Sequence, residues 1–187
     1  MQQPSEPTCE LLVAQYGAPI LSQAARPFDL PAKREAAELA AEMLFSSIQR
    51  IGQVHSFAKG IGLAAPQIGI GWAAAAVQPP GHDSLTIVLL NPRVTASSQD
   101  TDEQYEGCLS FFDVRGLVPR PLTITVETTA LDGTTVTTMY ERGLARLVAH
   151  EIDHLDGLLY TARMRPGVDP IPVEEYRQSG RSWACGS

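Results

Sequence analysis

Positive charge is scarce and scattered in this 187-residue chain. Its 14 lysines and arginines are outnumbered by 21 aspartates and glutamates, giving a net charge of −7. Arg115, Arg120, Arg142 and Arg146 are dispersed rather than gathered into a run, so there is no direct nucleic-acid motif. A local patch facing a ribosome is not decided by a net figure; ordinary solvated surface is the simpler account. Cysteine is equally sparse. Cys9, Cys108 and Cys185 are odd in number and far apart, which excludes a disulfide framework and suits a reducing compartment. No apolar run approaches the roughly 18 residues that span a bilayer, so no membrane partner is expected. The opening Met-Gln-Gln-Pro-Ser-Glu-Pro lacks the basic start and apolar centre of a signal peptide. The expectation is a soluble, cytoplasmic protein, and nothing demands more than a monomer. With 44% hydrophobic and 19% charged residues, the chain is globular rather than disordered, and residues 1–187 read as one domain with its own core.

The order of elements points to α+β. Residues 1 to about 30 form a loop-rich lead-in with several prolines. A helix is predicted from Pro31, with Leu39, Met43, Leu44, Ile48 and Ile51 at helical spacing as its core stripe. A short apolar stretch covers 72–77, and 85–90 reads as a buried strand closed by Asn91-Pro92. Residues 96–104 read as polar loop. Residues 122–129 and 134–139 are rich in Thr and Val around Leu131-Asp132-Gly133, which predicts a hairpin. A second helix is predicted over 143–155, and from about 166 to 187 the chain reads as an exposed tail. No repeat or interdomain linker is visible. Short antiparallel strands around a central helix, with a further helix near the N-terminus, indicate an α+β fold.

That central helix carries the most telling run, His150-Glu151-Ile152-Asp153-His154. Residues i and i+4 lie one turn apart on the same face, so both imidazoles can grip one metal ion. Glu151 sits about 100° round from His150, close enough to move a proton at that ion. The plainer account is a chance match on an amphipathic helix. A catalytic site of this kind commonly uses three protein ligands, and no histidine follows His154. Glu174 lies downstream, but behind Pro166, Pro170 and Pro172, and reads as solvated surface. Cys108, in Glu106-Gly107-Cys108-Leu109-Ser110, is the better third ligand, because a thiolate binds firmly. Its alternative is a small buried hydrophobe. Cys9 and Cys185 are expected to be non-functional. Asp153 either orients a neighbouring group or is simply solvated.

Gly60-Ile61-Gly62-Leu63-Ala64-Ala65-Pro66-Gln67, Glu106-Gly107-Cys108-Leu109-Ser110 and His150-Glu151-Ile152-Asp153-His154, in this order, resemble the three signature motifs of the peptide deformylases. Tyr16 to Leu21, Arg115 to Arg120 and Leu155 to Tyr160 match as well, so the likeness runs from about Tyr16 to Met164. The resemblance implies an enzyme that removes the formyl group from the N-terminal methionine of new bacterial or organellar proteins. By it, Cys108, His150 and His154 hold a divalent metal, usually Fe2+, with Zn2+, Ni2+ or Co2+ able to take its place. Glu151 is then the general base and acid, and the Gln67 side chain and the Leu109 backbone N–H are the oxyanion donors. Ile61, Gly62 and Gly107 pair with the substrate backbone as an added strand, and Arg115 is a further substrate contact. The partners implied are N-formyl-methionyl peptides of nascent chains, with the ribosome as a candidate docking surface.

Three positions depart from the family pattern. Ala149 replaces a common glutamine, on a part of the helix turned from the metal. Phe112, beside Phe111, replaces a common proline and makes that loop bulkier. Arg146 stands where relatives often carry an aliphatic residue near the methionine pocket. The last two leave side-chain preference open and keep a deformylase of another formylated amine in view. The other rivals are a zincin-type metallopeptidase, in which Cys108→Ala would leave metal bound, and a non-catalytic metal-binding relative, which would need neither Glu151 nor Gln67.

Overall fold

The computed structural model describes residues 13–55, 57, 59–81 and 84–179; Cys9 and Cys185 lie outside them. The described part of the lead-in is loop, with one 3-10 turn at Pro19–Ser22. Then follow helix α1 (Arg34–Val54), strand β1 (Ile61–Ala64), a 3-10 turn (Ala65–Ile68), β2 (Ala74–Gln78), β3 (Ile87–Leu90), β4 (Arg93–Ser97), β5 (Thr101–Cys108) and β6 (Phe111–Pro121). β7 (Thr123–Thr129), β8 (Thr135–Glu141), helix α2 (Arg142–Leu155), a 3-10 turn (Tyr160–Arg163), β9 (Ile171–Pro172) and α3 (Val173–Gln178) complete the order. The strands form three antiparallel sheets, ordered β1-β2-β3, β4-β7-β8 and β5-β6-β9. The expected α+β fold is what the chain adopts.

The core explains why two helices flank one small sheet. Successive side chains of a strand point to opposite faces. On β2, Ala74 and Ala76 pack with the α1 stripe of Ala37, Ala40, Leu44, Ile48 and Ile51. Val77, on the other face, joins Ala145, Val148 and Ile152 of α2, together with Ile124, Val126 and Tyr140 from β7 and β8. β2 is therefore covered on both sides, which is why its segment reads as an unbroken run of small apolar residues.

Five expectations need correction; of the expected buried strand over 85–90, only Ile87–Leu90 is strand, and Leu85 is 85% exposed. The first helix starts at Arg34, three residues after Pro31, which lies in a turn. Leu39 and Met43 are 58% and 42% exposed, so the buried stripe of α1 is narrower than its apolar content suggests. Residues 96–104 are not one loop: β4 ends inside them and β5 begins there. Their polar composition reflects exposure, since every residue of β4 is solvent-facing. Finally, the segment after Pro166 does not simply trail off. β9 pairs with β6, and α3 docks through buried Val173 and Tyr176.

α2 ends where its sequence allows a sharp stop. Gly157 takes φ +75°, and Leu158 N–H reaches back to Asp153 O at 2.8 Å; a glycine in this conformation is a common helix terminator. A Cβ there would lie 2.9 Å from the Gln23 backbone. The glycine thus also lets the lead-in pack against the end of α2.

Candidate metal centre

Three elements converge on one point. β5 ends at Cys108, which opens a two-residue turn, Leu109–Ser110, into β6. α2 presents His150 and His154 from successive turns. The ligand-type atoms of Cys108, His150 and His154 lie within 4.8 Å of one another, and all three residues are buried. Cys108 Sγ is 3.1 Å from His154 Nε2, and the two imidazole rings are 5.1 Å apart at 70°. Among the described residues Glu174 is not part of this group; it sits exposed on α3.

The donor chemistry fits a divalent ion. His150 Nδ1 is 2.9 Å from Glu106 Oε2, so that nitrogen carries the proton and Nε2 is left for a metal, as carboxylate-bound histidine ligands commonly are. Burial raises the Cys108 thiol, but the adjoining His154 and His150 rings outweigh it and hold the thiol well below its ordinary value. A thiolate beside two imidazoles suits zinc, iron, cobalt and nickel.

Glu151 lies on the same turn of α2 and is 2% exposed. A Cβ on Gly62 would come within 2.2 Å of Glu151 Oε1, so only glycine in β1 admits this carboxyl group. Glu151 Oε2 has no hydrogen-bond partner among the described residues. Burial pushes its pKa up to about 7, against the pull of His150 and His154. Gln67, 1% exposed, is fixed by its carbonyl: Ala64 N–H donates to Oε1 at 2.8 Å. Its amide donors then face Ser110 Oγ at 3.1 Å and Cys108 Sγ at 3.6 Å. The lead-in ties the two loops together, since Ala14 N–H bonds Gln67 O and Tyr16 N–H bonds Ser110 O, both at 2.7 Å.

β1 pairs only with β2 among the described strands, leaving Ile61 and Gly62 on a sheet edge. Arg115 donates to Phe112 O at 2.7 Å and Val114 O at 2.8 Å. Its guanidinium packs on Gly107, where a Cβ would meet it at 2.7 Å. Phe111 stacks on Tyr16 at 4.7 Å, and Phe112 meets His55 at 5.5 Å. Both aromatics, which begin β6 rather than lie in the expected loop, are thus braced from outside the hairpin.

Several residues behind the ligands escaped the sequence reading. Glu106 accepts from Arg120 Nε at 2.9 Å and Nη2 at 3.0 Å, from Arg146 Nη1 at 2.7 Å, and meets His150 as above. Arg120 Nη1 donates to Asp153 Oδ2 at 2.6 Å, and Arg163 binds Asp153 Oδ1 at 2.7 Å. Asp153 is therefore a buried ion-pair member, and the solvated alternative falls. The charged end of Arg146 lies inside the protein against Glu106, Val118 O and Asp102. The available signal was the helix spacing, which sets Arg146 one turn before His150.

A buried thiolate, two imidazoles and a glutamate on one helix define a class of protein, the metal-dependent hydrolases. The particular family follows from comparison: the chain belongs to the polypeptide deformylase family, whose sequence model matches residues 11–169. It is 34% identical over 171 residues to a peptide deformylase of Halalkalibacterium halodurans, covering 87% of this chain and 94% of the relative. Over 122 residues, 58% of this chain and 66% of the relative, it is 42% identical to one from Roseiflexus castenholzii. Among solved structures, a Met-Ala-Ser-bound class I type b peptide deformylase of Acinetobacter baumannii superposes with a TM-score of 0.70 at 30% identity, covering 81% of this chain and 96% of that one. Inhibitor-bound Arabidopsis thaliana peptide deformylase 1B gives 0.72 at 27% identity, covering 89% and 86%. The chain is accordingly a hydrolase of the deformylase type.

Proposed function

We propose that this chain removes the formyl group from N-formyl-L-methionyl peptides of nascent proteins, releasing formate, at a single ion held by Cys108, His150 and His154. Fe2+ is the ion that family precedent favours, with Zn2+, Ni2+ or Co2+ as substitutes. The observation that carries the reading is the buried Cys108–His150–His154 cluster with Glu151 on the same helical turn. Bound there, a divalent ion would supply a Lewis acid able to bring the pKa of water toward neutrality. Glu151, buried beside the ligands with one oxygen unpartnered among the described residues, takes a proton from the attacking water and passes it to the leaving amine. Gln67, with its carbonyl anchored on Ala64 N–H, turns a neutral N–H donor to the developing oxyanion, and the Leu109 N–H at the hairpin tip supplies the second. Losing one such donor costs about 2.7–4 kcal/mol of barrier.

The substrate backbone adds to the edge of β1 at Ile61 and Gly62 and meets Gly107 opposite. Arg115, anchored on two carbonyls of its own strand β6, lines that side and offers its remaining donors. The Met-Ala-Ser bound by the Acinetobacter baumannii relative is the peptide left after deformylation of formyl-Met-Ala-Ser. By this reading the chain is one catalytic domain, working as a monomer in the cytoplasm on chains leaving the ribosome. Anaerobically prepared protein with its metal content measured, assayed on formyl- and acetyl-Met-Ala-Ser, tests it. Formate release without acetate release is expected; activity on both, or on neither with any metal, contradicts it.

A further inference from the structure

Arg146 and His150 stand four residues apart on α2, so their side chains leave the same face one turn apart. Both end on the same carboxylate. Glu106 Oε1 accepts from Arg120 Nε at 2.9 Å and Arg146 Nη1 at 2.7 Å, while Oε2 meets Arg120 Nη2 at 3.0 Å and His150 Nδ1 at 2.9 Å. Each oxygen therefore has two partners. Arg120 spans both oxygens as a fork, and the remaining position on each is filled from the helix. Arg146 Nη1 also donates to Val118 O at 2.9 Å, and its Nη2, on the far side, is held by Asp102 Oδ1 at 2.7 Å and Asp102 O at 3.0 Å. Arg120, Glu106, Arg146 and His150 are all less than a tenth exposed.

We infer that Arg146 is a positioning residue for the metal centre: with His150 one turn along, it clamps the Glu106 carboxylate and so fixes the ring that presents Nε2 to the ion. The physical reason is rotational. Held by the Arg120 fork alone, the carboxylate can slide and twist along the guanidinium edge. The Arg146 donor on Oε1 removes that freedom, which keeps Oε2 opposite His150 Nδ1 and keeps the ring in one orientation. One helical stripe, Arg146–His150–His154, thereby grips an anion at its first two positions and the cation at its last two. This inference rests on the metal reading proposed above.

Co2+ titration of the full-length protein under anaerobic conditions tests it, read as the dissociation constant and as the visible cobalt spectrum. Wild type gives one site with thiolate-to-cobalt absorption. Arg146→Met is expected to weaken Co2+ about 10-fold and to alter the cobalt bands, within the 10–100-fold range for groups that orient metal ligands. Arg146→Lys, which keeps a charged donor, restores affinity to within about 3-fold of wild type. Should Arg146→Met not fold, Asp102→Ala serves in its place: it releases the far side of the guanidinium at a partly exposed position, and a weakening of several-fold is expected. Unchanged affinity and spectrum in whichever of these two variants is folded overturns the positioning role. Absence of Co2+ binding in wild type overturns the metal reading beneath it, whereas loss of peptide turnover with normal binding contradicts only the proposed reaction.

Discussion

Two glutamates flank the candidate metal centre, both almost wholly buried, and their surroundings drive them in opposite directions. Glu106 lies behind the ligands. Burial raises its pKa, but hydrogen bonds and charge from His150 and Arg120 outweigh that and hold it well below the usual carboxylate range. Glu151 lies toward β1. Among the described residues no cationic side chain is hydrogen-bonded to it and one of its oxygens is without a partner, and burial pushes it up to about 7. The comparison shows two carboxylates on opposite sides of one pair of histidines held differently: Glu106, on β5, is kept an anion by its cationic partners, whereas Glu151, on α2, is left with an unpartnered oxygen among the described residues. Separated pKa values of this kind mark the division of labour between acid–base and electrostatic groups.

Removing the proton-exchanging member of the pair has the largest effect. Glu151→Gln is expected to lower formate release by about 10²–10⁴-fold while leaving metal content per chain unchanged, as steady-state kinetics and metal analysis on one preparation will show. On the structural side, Arg120→Met strips Glu106 and Asp153 of their shared cation. Breaking such a buried pair costs about 3–5 kcal/mol, read as a fall in the urea midpoint. Gly62→Ala presses on the catalytic side, because its Cβ would stand 2.2 Å from Glu151 Oε1. Overpacking of this kind costs about 1–3 kcal/mol, and the displaced carboxyl group should lower kcat more than it raises KM.

A pH dependence separates the two glutamates by its sign. The folded pKa of Glu151 is raised from its ordinary 4.5 to about 7. Its contribution to stability is full below 4.5 and is lost as the pH rises through about 7. Metal-free Glu151→Gln protein should therefore gain stability relative to wild type across that window. Glu106 has the opposite sign: its stabilisation is present above the ordinary glutamate value and is lost as acid protonates it. Urea unfolding of both proteins from pH 4 to 8, compared as a difference, checks the first statement; a flat difference contradicts it.

What could be seen in the sequence follows from how each residue is held. Cys108, His150, His154, Glu151 and Gln67 sit in short motifs of distinctive chemistry, and the structure brings these five side chains to one place. The hairpin of β7 and β8 was legible because turn residues and alternation are local. β4 and the start of β5 were not, since their polar residues carry no apolar alternation, and β4 pairs with β7 rather than with a neighbour in the chain. Leu39 and Met43 share the helical period of the buried residues of α1, yet no element of the described structure covers them fully. Glu106, Arg120 and Arg146 were opaque for a different reason. A charged residue reads as surface until its partner is known, and the partners here are 14 and 40 residues from Glu106 along the chain.

The proposed chemistry depends most on sulfur and nitrogen meeting at one ion. X-ray absorption at the metal edge of anaerobically purified, active protein measures that directly. One sulfur at about 2.3 Å and two imidazole nitrogens at about 2.0–2.1 Å are the predicted shell, with the sulfur lost in Cys108→Ala. A shell of nitrogen and oxygen alone in active wild-type protein would contradict it.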